Sequence, residues 1–228
     1  MQNKKVIYIL TAIMFVGFFY YTTSDKQDAK SIDELVINSN ILEYSDGTFI
    51  NNVALEEISL GDTNAPVTII EYASMTCSHC AEFHNTTFQK IKKDYIETGE
   101  VRYIFREFPI DKLAMATSML ARCVDKNVSL PFIGVLFKTR DQWISENALS
   151  ELKNLSKQAG LSNEEFDKCL NNQTLLDELI SIKDQAITDY NINSTPSFVI
   201  NGKVITGNKP YSTFKKEIDK VLESYRGI

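Results

Sequence analysis

VTIIEYASMTCSHCAEFHNTTFQKIKKDYIETGEVRYIFREFP, residues 67–109, decides the fold. Its first seven residues, Val67 to Ala73, are β-branched and aromatic, and Pro66 with the preceding GDTNA punctuates them, so they read as a buried strand. After Cys77 the apolar positions Cys80, Phe83, Phe88, Ile91 and Tyr95 recur near helical spacing until Gly99 supplies a stop. Val101 to Phe108 alternates apolar with polar residues and ends at Pro109. Strand, helix and strand in succession make a βαβ unit, with a helix that starts at the cysteines.

Further along the chain, strand character disappears between about Asp111 and Tyr190. Helical patterns repeat there, with stops or starts at Asn127 to Pro131, near Ser145, at Gly160 and near Asn172. Ser162 and Glu165 fit a capping box ahead of Phe166, Cys169 and Leu170. Strands return in SFVINGKVIT, where Asn201-Gly202 is a two-residue hairpin signal, and an amphipathic helix through Phe214, Ile218, Val221 and Leu222 closes the chain. The expected order is βαβ, an all-helical insertion over 111–190, a β-hairpin and a helix: an α/β fold.

Before residue 57 the chain reads differently. Lys4 and Lys5 precede an uncharged, mostly apolar run from Val6 to Tyr21, the pattern of an export signal or a membrane anchor over residues 1–22. Its length lies between a signal-peptide core and a spanning helix of ~20 residues, so cleaved signal and retained anchor both fit. Residues 23–56 read as a linker and N-terminal extension, with Asp46-Gly47 inside Tyr44 to Asn52 marking a turn and a small edge strand. Everything after Tyr21 is expected in an exported, periplasmic compartment.

The 228 residues, 43% hydrophobic and 24% charged, suit one well-cored domain. With a net charge of -6 and interspersed signs there is no basic stripe for a phosphate backbone, which excludes nucleic acid as a partner. No Gly-rich phosphate loop is present, Trp143 lies far from the cysteines, and neither a metal nor a dissociable cofactor is expected.

Among the four cysteines, Cys77-Ser78-His79-Cys80 is a pair that can close on itself. At a helix N-terminus the first sulfur lies near backbone N–H groups and the positive end of the helix dipole, which favour thiolate. Cys77 is therefore the expected nucleophile and Cys80 the resolving thiol. His79 stands between them, where its ring would donate a hydrogen bond or carry positive charge near the Cys77 thiolate. A stabilised thiolate makes the disulfide easier to reduce, hence a better donor. The same spacing also fits a structural disulfide or half a zinc site, and Cys77, Cys80 and His84, with His79 nearby, fall along one helix face as in a metal-binding module without turnover.

The strand, the C-x-H-C motif, the helical insertion and the late Thr195-Pro196 together resemble the DsbA family of thioredoxin-fold disulfide oxidoreductases, over roughly Glu57 to Ile228. The resemblance implies a thioredoxin-like fold and disulfide exchange on exported polypeptides that contain cysteines. It also implies a quinone-linked membrane oxidase as reoxidant, with attachment through residues 6–21 as one arrangement. A periplasmic reductase or isomerase would share every residue of the motif. It implies further that Pro196 is cis and that Thr195 presents its backbone to the redox sulfurs and the substrate. Glu71, six residues before Cys77, matches the position of a buried acid that relays protons; a carboxylate at the strand edge reaching water or a lysine is the other reading. Residues Ser74 to Thr76 and Thr195 to Ser197 would bind an extended chain through backbone contacts with low sequence specificity. Cys123 and Cys169 lie on apolar helix faces in the insertion, where some relatives carry a second pair. Bonded, they would close a loop of about 46 residues worth roughly 4 kcal/mol in the chain-entropy model; as free thiols they would serve as small hydrophobes.

Overall fold

The computed structural model describes residues 55–227. The expected signal or anchor segment, the linker through residue 54 and the turn within Tyr44 to Asn52 lie outside them. Among the described residues no helix is long and apolar enough to cross a membrane.

Five strands form one sheet in the order β1-β3-β2-β4-β5. At its centre β2 (Val67–Ala73) runs parallel to β3 (Val101–Glu107), from Val67 opposite Val101 to Ala73 opposite Glu107. Both are buried on two faces, which accounts for their β-branched and aromatic content. On the other side β4 (Ser197–Ile200) pairs antiparallel with β2 and turns into β5 (Lys203–Thr206). Asn201 and Gly202 take φ of 43° and 88°, the two left-handed residues that a tight hairpin of this length requires. The outer strand β1 (Ile58–Leu60) pairs antiparallel with β3 and was not anticipated, because three residues are too few to show a pattern.

The helix after the cysteines is segmented. α1 (Ser78–Asn85) ends where Thr86 leaves helical geometry, α2 (Thr87–Ile91) resumes, and Lys92–Ile96 form a π turn. Six helices fill the stretch between β3 and β4: α3 (Lys112–Cys123), α4 (Lys126–Lys138), α5 (Arg140–Trp143), α6 (Ala148–Gln158), α7 (Asn163–Leu170) and α8 (Gln173–Tyr190). The expected break at Asn127 to Pro131 is displaced. Asp125 caps α4 through the amide of Asn127, and Pro131 falls inside the helix. Ser162 and Glu165 form the capping box of α7. The chain closes with α9 (Tyr211–Arg226).

One face of β2, carrying Val67, Ile69, Glu71 and Ala73, looks into the main core; Ile70 and Tyr72 look the other way, toward Phe108, Ala186, Ile192 and Val199. In the main core Phe83 of α1 packs on Phe198 and Phe214, with ring centroids 4.4 and 5.3 Å away, which fixes α1 against the sheet and α9. The insertion is stapled by a disulfide between Cys123 and Cys169 (S–S 2.01 Å) and by a buried ion pair, Arg122 with Glu107, through contacts of 2.6 and 2.7 Å.

Candidate active site

The two sulfurs of the motif meet different surroundings. Cys77 is the N-cap of α1, with extended φ and ψ (-77°, 121°), while Cys80 sits on the inner face of the first turn and is fully buried. Both are free thiols, and Cys77 alone retains some exposure. Of the two sulfurs, Cys77 is therefore the accessible one.

Electrostatics separates the pair further. The Cys77 thiol is lowered to about 5, first by a hydrogen bond from the Cys80 side chain, then by the Thr195 side chain and the backbone N–H groups of Cys80 and His79; burial opposes them. The two amides form no regular side-chain cap with the sulfur, yet they lie close enough to favour its charge. Cys80 moves the other way. Burial raises it well above the ordinary thiol range, and its hydrogen bond to Cys77 and the charge of Glu71 add to that. A thiol that ionises easily thus stands beside one that holds its proton.

Beneath them lies Glu71, fully buried on β2. Its Oε2 accepts a 2.5 Å hydrogen bond from the Tyr103 hydroxyl, and its Oε1 has no partner. Burial raises this carboxyl to about 8; the Tyr103 bond opposes the shift and the Cys77 charge adds to it. The side chain reaches neither water nor a lysine. A carboxyl that titrates near neutrality beside a buried thiol is equipped to pass a proton to or from it.

The Thr195-Pro196 peptide is cis. Ser197 opposite Tyr72 sets the start of β4 beside the end of β2, and from there the Thr195 carbonyl accepts the Cys77 S–H at 3.5 Å. That contact favours the thiol and the Thr195 side chain favours the thiolate, so one residue serves both protonation states.

The His79 ring is turned to solvent, with Nδ1 3.8 Å from Glu82, and the residue's contribution to the Cys77 sulfur comes from the backbone N–H. His84 is turned inward. It stacks on Phe88 (4.4 Å between centroids) and lies 4.9 Å from Phe137 of α4, its Nε2 has no partner, and burial lowers it to about 4. Among the described residues no group of three His, Cys, Asp or Glu side chains is placed to hold a metal, so the metal-binding alternative on Cys77, Cys80 and His84 has no assembled ligand set.

Sequence reasoning missed Tyr103, Asp111 and Arg140. Tyr103 reads only as a core aromatic of β3 until the parallel register places it opposite Ile69, diagonal to Glu71. Both carboxylate oxygens of Asp111 accept: Oδ1 caps α3 by accepting from the Ala114 amide (2.7 Å), and Oδ2 accepts from the Thr76 hydroxyl at 2.6 Å. Its position ahead of an apolar periodic run was a readable N-cap signal. Arg140 Nε donates to the Thr76 carbonyl at 2.8 Å, which takes up one of that oxygen's two lone pairs.

Comparison with known proteins gives a consistent picture. The family profile described as Thioredoxin matches residues 54–220. A putative protein-disulfide oxidoreductase of Rickettsia felis is 34% identical over 172 residues, which cover 75% of this chain and 62% of that protein. This chain thus spans less than two thirds of the rickettsial relative's length. Disulfide bond formation protein D of Bacillus subtilis is 29% identical over 174 residues, 72% of this chain and 76% of that protein. The crystal structure of Wolbachia pipientis alpha-DsbA1 superposes with a TM-score of 0.68 at 34% identity, covering 73% of this chain and 90% of that one.

Proposed function

This chain belongs to the thioredoxin family, in its DsbA-like branch, and from that premise we propose that it introduces disulfide bonds into exported polypeptides by exchange at Cys77 and Cys80. The observation that carries the direction is the lowered Cys77 thiol beside the raised Cys80. Stabilising the Cys77 thiolate stabilises the reduced protein, and a disulfide with a stabilised reduced form passes readily to another dithiol.

The exchange runs through the exposed sulfur. A thiolate of the substrate attacks Sγ of Cys77 in the Cys77–Cys80 disulfide, forming a mixed disulfide and releasing the Cys80 sulfur. Glu71 in its protonated form supplies the proton that Cys80 takes up. The substrate's second thiolate then attacks its own sulfur in the mixed disulfide and releases Cys77 as a thiolate. Two electrons move from the substrate dithiol to the protein, whose dithiol form is the one described above. Thr195 and Pro196 hold the substrate backbone beside Cys77. A quinone-linked membrane oxidase restores the disulfide.

Residues 57–228 are the working unit, with the helical insertion at 111–190. Lys4, Lys5 and the apolar run from Val6 to Tyr21 support export to the periplasm, with membrane attachment through residues 6–21 as the arrangement to test by cell fractionation. For the activity itself the test is oxidation of a reduced, unfolded two-cysteine polypeptide by the oxidised chain. Cys77→Ser and Cys80→Ser each abolish it, because neither variant can form the disulfide that the substrate thiolate attacks. A wild-type chain that leaves the substrate reduced, or that purifies under reductant with one equivalent of zinc, refutes the proposal.

A further inference from the structure

A set of polar contacts outside the redox pair ties the turn before Cys77 to the helical insertion. The turn closes on itself through the Cys77 N–H and the Ser74 carbonyl, 3.1 Å apart, and its residues Ser74 and Met75 are fully buried. Thr76 then extends both of its polar groups to other parts of the chain. Its hydroxyl donates to Asp111 Oδ2 at 2.6 Å, a partner 35 residues away. Since that proton is committed, the 3.0 Å contact between Ser74 Oγ and Thr76 Oγ1 has Ser74 as its donor, and the order runs Ser74 to Thr76 to Asp111. The carbonyl of the same Thr76 accepts from Arg140 Nε at 2.8 Å, 64 residues away. Asp111 is itself anchored as the N-cap of α3, and Arg140 Nη1 is held at 2.7 Å by Asp141.

We infer that Asp111 and Arg140 are positioning residues for the redox centre: two separate pieces of the insertion grip the side chain and the backbone of Thr76 and so hold the Cys77 sulfur at the N-terminus of α1. The physical reason is range. Stabilisation of a charge by a helix N-terminus is confined to the first turn, so its strength depends on the sulfur staying against the His79 and Cys80 amides. Cys77 is the residue directly bonded to the gripped Thr76 carbonyl, and it has no regular side-chain cap of its own to keep it there. A guanidinium is suited to the task because its donors are planar and pre-organised, and its charge strengthens the bond to a neutral carbonyl.

The inference rests on the oxidoreductase reading for its functional meaning but is measured separately from it. In the full chain, the pH titration of Cys77 thiolate absorbance and the equilibrium with glutathione are compared for wild type, Arg140→Met, Arg140→Lys, Thr76→Val and Thr76→Ser. Arg140→Met and Thr76→Val are expected to raise the Cys77 titration by about one unit and to weaken the disulfide as an oxidant about tenfold, ~30 mV for a two-electron couple. Arg140→Lys keeps the charge without the fork and is expected to follow the Met variant. Thr76→Ser keeps the hydroxyl and is expected to stay within twofold of wild type. Lowered melting temperatures with an unchanged titration and equilibrium would overturn the inference, leaving the contacts merely structural. A wild-type titration in Arg140→Lys alongside a shifted Arg140→Met would overturn it too, because charge rather than position would then be at work. Absence of exchange in the wild type would refute the oxidoreductase reading, and the thiolate titrations would still decide this one.

Discussion

Replacing Glu71 with Gln takes a titrating group out of the core while keeping its size. In the folded protein this carboxyl holds its proton up to about pH 8, and in the unfolded chain only to its ordinary 4.5. Between those values the unfolded state binds fewer protons than the folded one, so stability falls as pH rises. The favourable contribution is complete below pH 4.5 and is lost as pH climbs through 8. At about 1.4 kcal/mol per unit, the loss from pH 5 to pH 8 comes to about 3 kcal/mol. Full burial of the side chain justifies using the shift without a solvent discount. The assay is urea unfolding of the oxidised protein at half-unit steps from pH 5 to 8, where neither Cys77 nor Cys80 titrates; the disulfide lacks the Cys77 charge, the smallest contribution to the shift, while burial, the largest, remains. His84 and every other titrating group are common to both proteins and cancel in the difference. Gln brings an amide to the unpartnered Oε1 position, which lowers its stability by an amount independent of pH. The slope is therefore the diagnostic quantity: wild type should lose about 3 kcal/mol more than Glu71→Gln across the interval. Parallel profiles would refute the reasoning, because they would mean that Glu71 ionises in the folded protein as it does in the open chain.

His84 gives the opposite dependence. Folded, it stays neutral down to about pH 4, while unfolded it takes a proton near 6.5, so stability present above pH 6.5 is lost as the pH falls. His84→Phe keeps a ring on Phe88 and Phe137, and from pH 7 to 5 it should lose about 2 kcal/mol less than wild type in urea unfolding. Arg122→Met leaves Glu107 buried without its partner and should cost about 3–5 kcal/mol. Adding Glu107→Gln should recover much of that, and a single-variant loss below ~1 kcal/mol would show the pair to be uncoupled from folding. Tyr103→Phe removes the hydrogen bond that holds Glu71 down, so its titration should move above 8, read from the same pH profile.

The fold was legible where the sequence pattern is local. Val67 to Ala73, Val101 to Phe108 and the Asn201-Gly202 turn announce themselves through residue type and spacing, because buried strands and two-residue hairpins depend on their own side chains. The strand Ile58–Leu60 did not, since its pairing is imposed by β3. Nor did the break at Thr86, or the course of α4 through Pro131, where tertiary packing outweighs the ordinary preference. In the site, Cys77 and Cys80 follow from their spacing at the start of one helix, whereas the acid at Glu71 was implied by the family resemblance. Where the His79 ring turns was not legible, because adjacency in sequence says nothing of it; the exposed side chain leaves its backbone N–H beside the Cys77 sulfur. The grip of Asp111 and Arg140 on Thr76 spans 35 and 64 residues, and no local pattern encodes a contact at that range.

The reduction potential of Cys77–Cys80, taken from equilibrium with graded glutathione buffers, tests disulfide donation most directly. Cys123–Cys169 is kept intact, since it staples the insertion. A value near the roughly -120 mV of strongly oxidising DsbA is the predicted result, in the direction that the lowered Cys77 thiol favours. A value near the roughly -270 mV of thioredoxin would contradict it and assign the same cysteines to reduction.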